Sequence, residues 1–273
     1  MSFTVLGASG FIGSHLVRYL HESGESCFAP DRGDPSVFAR PLGHVIFCIG
    51  LTADFRTRPF DTVEAHACVL QEVLRRAKFD SLLYLSSTRV YRGLASGEED
   101  APITVNPQDA DDLYNLSKLT GEALCLASGR PGTRVVRLSN VYGPGMPGEN
   151  FLAAITRDAV AHGAVRLRTA RTAAKDYVCV EDAVPVLARI AVAGRQRLYN
   201  VAGGENVENG VLVDRLQALT GCRVSVEADA PAPVFPPISI ERARREFGFA
   251  PTGLLANLDR LVRDIREELI ARD

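Results

Sequence analysis

Tyr114 and Lys118 stand four residues apart in the run Tyr114-Asn115-Leu116-Ser117-Lys118. On a helix, positions i and i+4 share a face, so this spacing sets an ammonium beside a phenol. A nearby positive charge favours phenolate and draws a tyrosine pKa from about 10 towards neutrality. Such a hydroxyl can give or take a proton at an alcohol or sugar oxygen while hydride moves at the adjoining carbon. Upstream, Gly7-Ala8-Ser9-Gly10-Phe11-Ile12-Gly13 follows a strand-like Phe3-Thr4-Val5-Leu6 and opens a helical pattern. In that setting the first glycine permits a tight turn and the second lets backbone approach a pyrophosphate. The third lets helix and strand pack closely, with the helix N-terminus facing the phosphates. Gly7, Gly10, Phe11, Ile12 and Gly13 are therefore candidate cofactor residues for a dinucleotide.

Asp31 lies 24 residues beyond Gly7, at the end of the second strand-like run. A carboxylate there accepts from both ribose hydroxyls, which favours NAD and repels a 2′-phosphate. Arg32 beside it offers a guanidinium to that phosphate, so NADP stays open.

Strand-like and helix-like runs alternate, predicting an α/β fold with a parallel sheet and crossover helices. Strands are expected near Phe3–Leu6, Ser26–Ala29, His44–Ile49, Ser81–Ser86 and Arg134–Leu138. Helices are expected near Gly10–Glu22, Asp61–Lys78 and Asp112–Ala127. Residues 1–145 read as a dinucleotide-binding domain and 146–273 mainly as a smaller substrate-binding lobe, with 176–201 returning to the main sheet. The final helix carries Leu254, Leu255, Leu258, Leu261, Val262, Ile265 and Leu269 on a stripe suited to docking.

Composition removes other classes. Apolar residues at 46% and charged residues at 23% are globular values. A net charge of −2 gives no general pull towards nucleic acid or anionic membrane. No apolar run reaches the roughly 18 residues of a spanning helix, and no basic leader precedes the first strand, so a cytoplasmic protein is expected. Six cysteines without a Cys-x-x-Cys spacing read as reduced, mostly buried residues, and no metal site is expected.

Ser86-Ser87-Thr88-Arg89-Val90-Tyr91 ends the fourth strand-like run, at the edge where open parallel sheets bind ligands. With it the chain resembles the extended short-chain dehydrogenase/reductases, the NAD-dependent nucleotide-sugar epimerase, dehydratase and reductase family. The resemblance covers nearly the whole length. It rests on the G-x-x-G-x-x-G turn, Ser-Ser-x-x-Val-Tyr, Tyr-x-x-x-Lys, Arg137–Pro144, Lys175–Asp182 and Tyr199-Asn200-Val201. It implies a Rossmann doubly wound sheet and a homodimer through the helices near Asp61–Lys78 and Asp112–Ala127. It also implies Tyr114 as acid/base, with Lys118 lowering its pKa and touching the nicotinamide ribose. Ser87 would hold the substrate oxygen, Asn140 would face the substrate phosphates, and Lys175 stands where the family has a phosphate-binding arginine.

Four departures qualify that reading. Only residues 31–44 separate the second strand from the next apolar run, so an edge strand on the adenine side is expected to be missing. His66 replaces the family's helix asparagine, and a packed role outweighs a catalytic one there. Thr88 and Arg89 replace the Asp-Glu that drives elimination in dehydratases, which argues against dehydration. The usual late diphosphate arginine has no counterpart in residues 230–238; Arg166, Arg168 and Arg171 either replace it or form an exposed strand face. The expected function is hydride transfer at a carbon of a nucleotide-activated sugar, as an epimerase or as a keto-sugar reductase with exchangeable cofactor. A non-catalytic dinucleotide-binding regulator is the remaining reading, and the combination of Ser87, Tyr114 and Lys118 argues against it.

Overall fold

Residues 1–52 and 54–270 are described by the computed structural model. Six parallel strands form the main sheet: β1 (Ser2–Leu6), β2 (Ser26–Phe28), β3 (His44–Phe47), β4 (Ser81–Ser87), β5 (Thr133–Leu138) and β9 (Leu198–Val201), in the order β2-β1-β3-β4-β5-β9. The central strands are buried on both faces, which is why Leu82-Leu83-Tyr84-Leu85 reads as a continuous apolar run rather than an alternating one. Helices α1 (Phe11–Glu22) and α7 (Val180–Ala193) pack together on one side through Leu16, Leu20, Leu187 and Ile190. Helices α4 (Val69–Arg76) and α5 (Asp112–Ala127) cover the other through Leu70, Val73, Leu74 and Cys125. This is the Rossmann doubly wound arrangement. The chain reverses direction between β1 and β3, and such a switch point opens a crevice at the carboxyl ends of the strands.

Beyond β2 the chain holds one four-residue helix, α2 (Ser36–Ala39), before β3. The three-residue β2 therefore forms the sheet edge, in line with the shortened segment.

A single helix was expected over 61–78, and the structure divides it. A short α3 (Pro59–Val63) runs into a π turn at Glu64–Cys68, and α4 follows. The wider turn leaves the His66 carbonyl free to accept from the Tyr84 hydroxyl at 3.1 Å. Gly121 of α5 crosses at this point. A Cβ there would lie 2.4 Å from the Tyr84 hydroxyl and 2.8 Å from the His66 carbonyl oxygen, so only glycine permits the approach.

The rest of the chain builds a second core. Small sheets β10-β8-β6 (Asn206–Glu208, Ala174–Cys179, Asn140–Tyr142) and β11-β7 (Arg223–Val226, Ala164–Leu167) join helices α6 (Phe151–Ala161), α8 (Asn209–Thr220) and α10 (Leu254–Ile270). The short α9 (Glu241–Phe247) packs instead beside β9 and α7. The α10 stripe docks Leu254, Leu258, Leu261, Val262 and Ile265 into this core, leaving Leu255 at the surface. No described helix is long and apolar enough to cross a membrane. All six cysteines are unpaired.

Candidate active site

The glycine turn lies between the end of β1 and α1. Gly7 has φ +88°, and a Cβ on it would come within 2.9 Å of the Ile49 amide nitrogen beyond β3. A Cβ on Gly13 would sit 2.2 Å from the Gly7 carbonyl oxygen. Both glycines are demanded by the protein's own backbone. Gly10 differs: its Cβ would meet that oxygen at an ordinary 3.4 Å. The space above Gly10 is therefore surplus to the fold, as a cradle for pyrophosphate oxygens requires. Gly10 also caps α1 without a side-chain hydrogen bond, and no acidic residue occupies the first turn. Free N–H groups and the positive helix end there suit an anion, so the residues fit a dinucleotide. Asp31 and Arg32 are exposed just past β2.

Helix α5 aims its chemistry at the sheet. Tyr114, Lys118 and Glu122, four residues apart in turn, are all buried on the face against β4 and β5. Tyr114 is 5% exposed. Burial pushes its phenol above the ordinary value; a Ser87 hydrogen bond and then the Arg89 charge pull it back. The Ser87 oxygen accepts from the Arg89 amide at 3.2 Å, which orients it at the end of β4.

Lys118 donates to the Leu85 carbonyl at 2.9 Å. Burial lowers its amine to about 7, against the smaller raising effects of Cys48 and Glu122. The sequence alone suggests that Lys118 supplies the charge tuning Tyr114. In the structure the groups pulling the phenol down are Ser87 and then Arg89.

His66 sits behind this pair, fully buried. Ser117 Oγ donates its one proton to the Tyr114 carbonyl at 2.8 Å, so it must accept from His66 Nδ1, also at 2.8 Å. The Leu51 amide donates to Nε2 at 3.1 Å. Both ring nitrogens are committed. Burial first and the Lys118 ammonium second hold the imidazole pKa down at about 2. His66 is a neutral bracket between α5 and the strand end.

Tyr114 is roofed by Phe55, 3% exposed, with ring centroids 5.5 Å apart. The guanidinium carbons of Arg56 and Arg89 lie 4.5 and 5.2 Å from the Phe55 centroid. Asp111 binds Arg56 at 2.6 Å and fastens this roof to the start of α5. Nothing in the sequence patterns singled out Phe55, whose loop has no regular period.

Several motif residues prove to hold the frame. The buried Arg137 makes a 2.7 Å ion pair with Glu122 and donates to the Tyr91 hydroxyl at 2.8 Å. Tyr91 in turn donates to Asn200 at 3.0 Å. Asp176 takes Ser139 Oγ at 2.5 Å and the Gly203 and Gly204 amides at 2.7 Å each. Asn140 is exposed and donates to the Asp176 carbonyl at 2.8 Å. Lys175 places its amine 5.0 Å from the Phe151 ring centroid, and burial followed by the Arg89 charge lowers its pKa. Arg168 is not drawn into the Tyr114 cluster: its side chain is 87% exposed and lies 3.8 Å from Glu227. Arg166 pairs with the same glutamate. Among the described residues no group of His, Cys, Asp or Glu is placed to hold a metal.

A family model described as the NAD dependent epimerase/dehydratase family matches residues 3–202, from the first strand through the last strand of the main sheet. The chain belongs to that family. A dTDP-4-dehydrorhamnose reductase from Mycobacterium tuberculosis is 31% identical over 211 residues, covering 70% of this chain and 67% of that protein. A dTDP-4-dehydro-6-deoxy-D-allose reductase from a Streptomyces species is 26% identical, covering 95% and 94%. The solved structure of MoeE5 in complex with UDP-glucose and NAD matches with a TM-score of 0.84 over 98% of this chain and all of that one. Their identity is 23%, so this likeness concerns the fold. The family is NAD-dependent and includes reductases, dehydratases and epimerases. The protein is thus an enzyme of the extended short-chain dehydrogenase/reductase type.

Proposed function

We propose that the enzyme transfers hydride at a carbon of a nucleotide-activated sugar, with Tyr114 moving the proton at the sugar oxygen. The observation that carries this reading is the buried Tyr114 phenol on α5, near enough to Ser87 at the end of β4 for the serine to lower its pKa. NAD(H) bound at the glycine turn supplies or accepts the hydride. Gly7, Gly10, Phe11, Ile12 and Gly13 would hold its pyrophosphate end, Asp31 or Arg32 its adenosine ribose, and Lys118 its other ribose.

Burial raises the Tyr114 phenol while Ser87 and Arg89 pull it back. As phenol it donates to an oxygen that gains negative charge, and as phenolate it takes the proton of an alcohol whose carbon gives up hydride. Ser87, oriented by the Arg89 amide, would fix that oxygen against the phenol. Phe55 packs over Tyr114 and leaves it only 5% exposed, and such low-dielectric surroundings strengthen each of these contacts. Thr88 and Arg89 offer no carboxylate to remove a second proton, so dehydration is not proposed.

Epimerisation is the first reading: the sugar carbon gives up hydride, and the keto form turns over and takes it back on its other face. The short edge strand β2 and the exposed Asp31 and Arg32 favour a second reading, a keto-sugar reductase with exchangeable NAD(P)H. Denaturing freshly purified protein and weighing the released nucleotide separates them. Near-stoichiometric NAD(H), with epimerisation of a nucleotide sugar and no added cofactor, supports the first. An empty site, with reduction of a 4-keto nucleotide sugar by added NAD(P)H, supports the second. Neither reaction with any nucleotide sugar defeats both.

A homodimer through α3, α4 and α5 also belongs to this reading, and the 87% exposed Phe60 on α3 gives it an apolar contact. A monomeric mass by light scattering would remove it.

A further inference from the structure

Around the roof of Tyr114, positive charge exceeds negative charge. The Asp111 carboxylate serves three guanidinium groups: Arg56 at 2.6 Å, Arg92 at 3.5 Å and Arg89 at only 4.0 Å. Arg89 is therefore the least neutralised of the three. Its Nε is buried and has no hydrogen-bond partner. A buried donor left unmatched carries its full desolvation cost. Lys175, close enough for its charge to be felt at Arg89, has no ion-pair partner among the described residues. Three guanidinium groups thus share one carboxylate beside Tyr114, and Lys175 adds a cation within electrostatic reach of Arg89.

The place of Arg89 restricts what can neutralise it. Its amide holds Ser87, and its guanidinium carbon lies 5.8 Å from the Tyr114 ring centroid. A group bound by Arg89 is consequently carried close to the carbon that Ser87 and Tyr114 address. Lys175, on strand β8 where the family resemblance puts a phosphate-binding arginine, is the residue left for the diphosphate. An Nε–Nη edge matches a carboxylate with two parallel hydrogen bonds.

We infer that Arg89 is a specificity-determining residue that receives a carboxylate borne on the sugar ring, making the substrate an acidic, uronate-type nucleotide sugar. The inference rests on the nucleotide-sugar reading above and narrows its substrate class. Arg89 stands where elimination chemistry would need a carboxylate, so the same position that argues against dehydration selects the charge of the substrate.

The test is calorimetric titration of NAD-loaded protein with UDP-glucuronic acid, UDP-glucose and their dTDP counterparts. Wild type is expected to bind one acidic nucleotide sugar at least about tenfold more tightly than its neutral partner. Arg89→Gln should remove that preference while changing affinity for the neutral sugar less than about threefold, and Arg89→Lys should keep part of it. Equal binding of acidic and neutral sugars by wild type overturns the inference alone. So does an Arg89→Gln loss that is equal for both, since that would place the diphosphate on Arg89. Binding of none of the four overturns the nucleotide-sugar reading and this inference together. An unchanged melting temperature for Arg89→Gln shows that the comparison is made on folded protein.

Discussion

The His66 imidazole stands edge-on to the Tyr114 ring, with centroids 5.2 Å apart and planes at 89°. Its Nδ1 is pinned by Ser117 and its Nε2 by the Leu51 amide, so the ring cannot turn or take up a proton without breaking a contact. With a pKa near 2, set by burial and the Lys118 charge, its charge stays zero through the physiological range. The His66 ring nitrogens are therefore expected to show no imidazolium shift between pH 5 and 8, only the smaller displacement that a titrating Lys118 imposes. His66→Ala leaves a cavity and two unpaired polar groups, a loss of roughly 2–4 kcal/mol in urea denaturation. A titrating His66 signal would mean that the bracket is open in solution.

Gly10 and Gly13 should separate binding from folding. Gly13→Ala forces a Cβ to 2.2 Å from a carbonyl oxygen and is expected to lower the melting temperature sharply. Gly10→Ala meets only an ordinary contact, so its thermal stability should match wild type. Its NAD affinity should nonetheless fall tenfold or more, an order-of-magnitude estimate from loss of close backbone approach to phosphate. Calorimetry on both variants checks this, and undiminished NAD binding by Gly10→Ala would move the cofactor elsewhere.

Lys118 makes a pH-dependent stability prediction. Its amine falls to about 7 in the folded protein from 10.5 unfolded. Between those values the unfolded chain binds more protons, so stability rises with pH there. Below about 7 the cost of burying the charge is complete. In cofactor-free protein, Lys118→Met should therefore be stabilising, and more so at pH 6 than at pH 9. Melting curves at the two pH values decide it; a gain that grows with pH has the wrong sign.

Tyr114→Phe keeps the ring that packs on Phe55 and His66 and removes only the proton carrier. Turnover should drop by roughly 10²–10⁴, while NAD affinity stays within a few-fold. Full turnover in that variant would end the proposed mechanism.

Much of this site was legible because its residues obey a period. Tyr114 and Lys118 stand four residues apart on one helix, and the glycines follow the end of a strand. Other features depend on distant partners. The π turn at 64–68 carries the same apolar pattern as an ordinary helix, and the Gly121 approach and the Tyr84 hydroxyl reveal it only in three dimensions. Phe55 gains its role from Asp111 and Arg56, joined across 55 residues of chain. Arg89 was visible in the sequence only as the absence of a carboxylate, since its surplus charge requires knowing where Asp111 and Lys175 lie. The recurring Tyr91, Arg137 and Asn200 form one buried network, so their signal in the sequence concerns architecture more than chemistry.

Asp176 draws together Ser139 from the end of β5, the amides beyond β9 and its own strand β8. A carboxylate that grips three separate stretches of chain works like a weld. A swing of the C-terminal part, of the kind by which many two-lobed enzymes open around a ligand, would first have to break that grip. The span bearing Phe55 and Arg56 is held over Tyr114 by a half-exposed ion pair to Asp111. Of the two fastenings the exposed one is the cheaper to undo, since a solvated ion pair contributes little and the Asp176 carboxylate is buried.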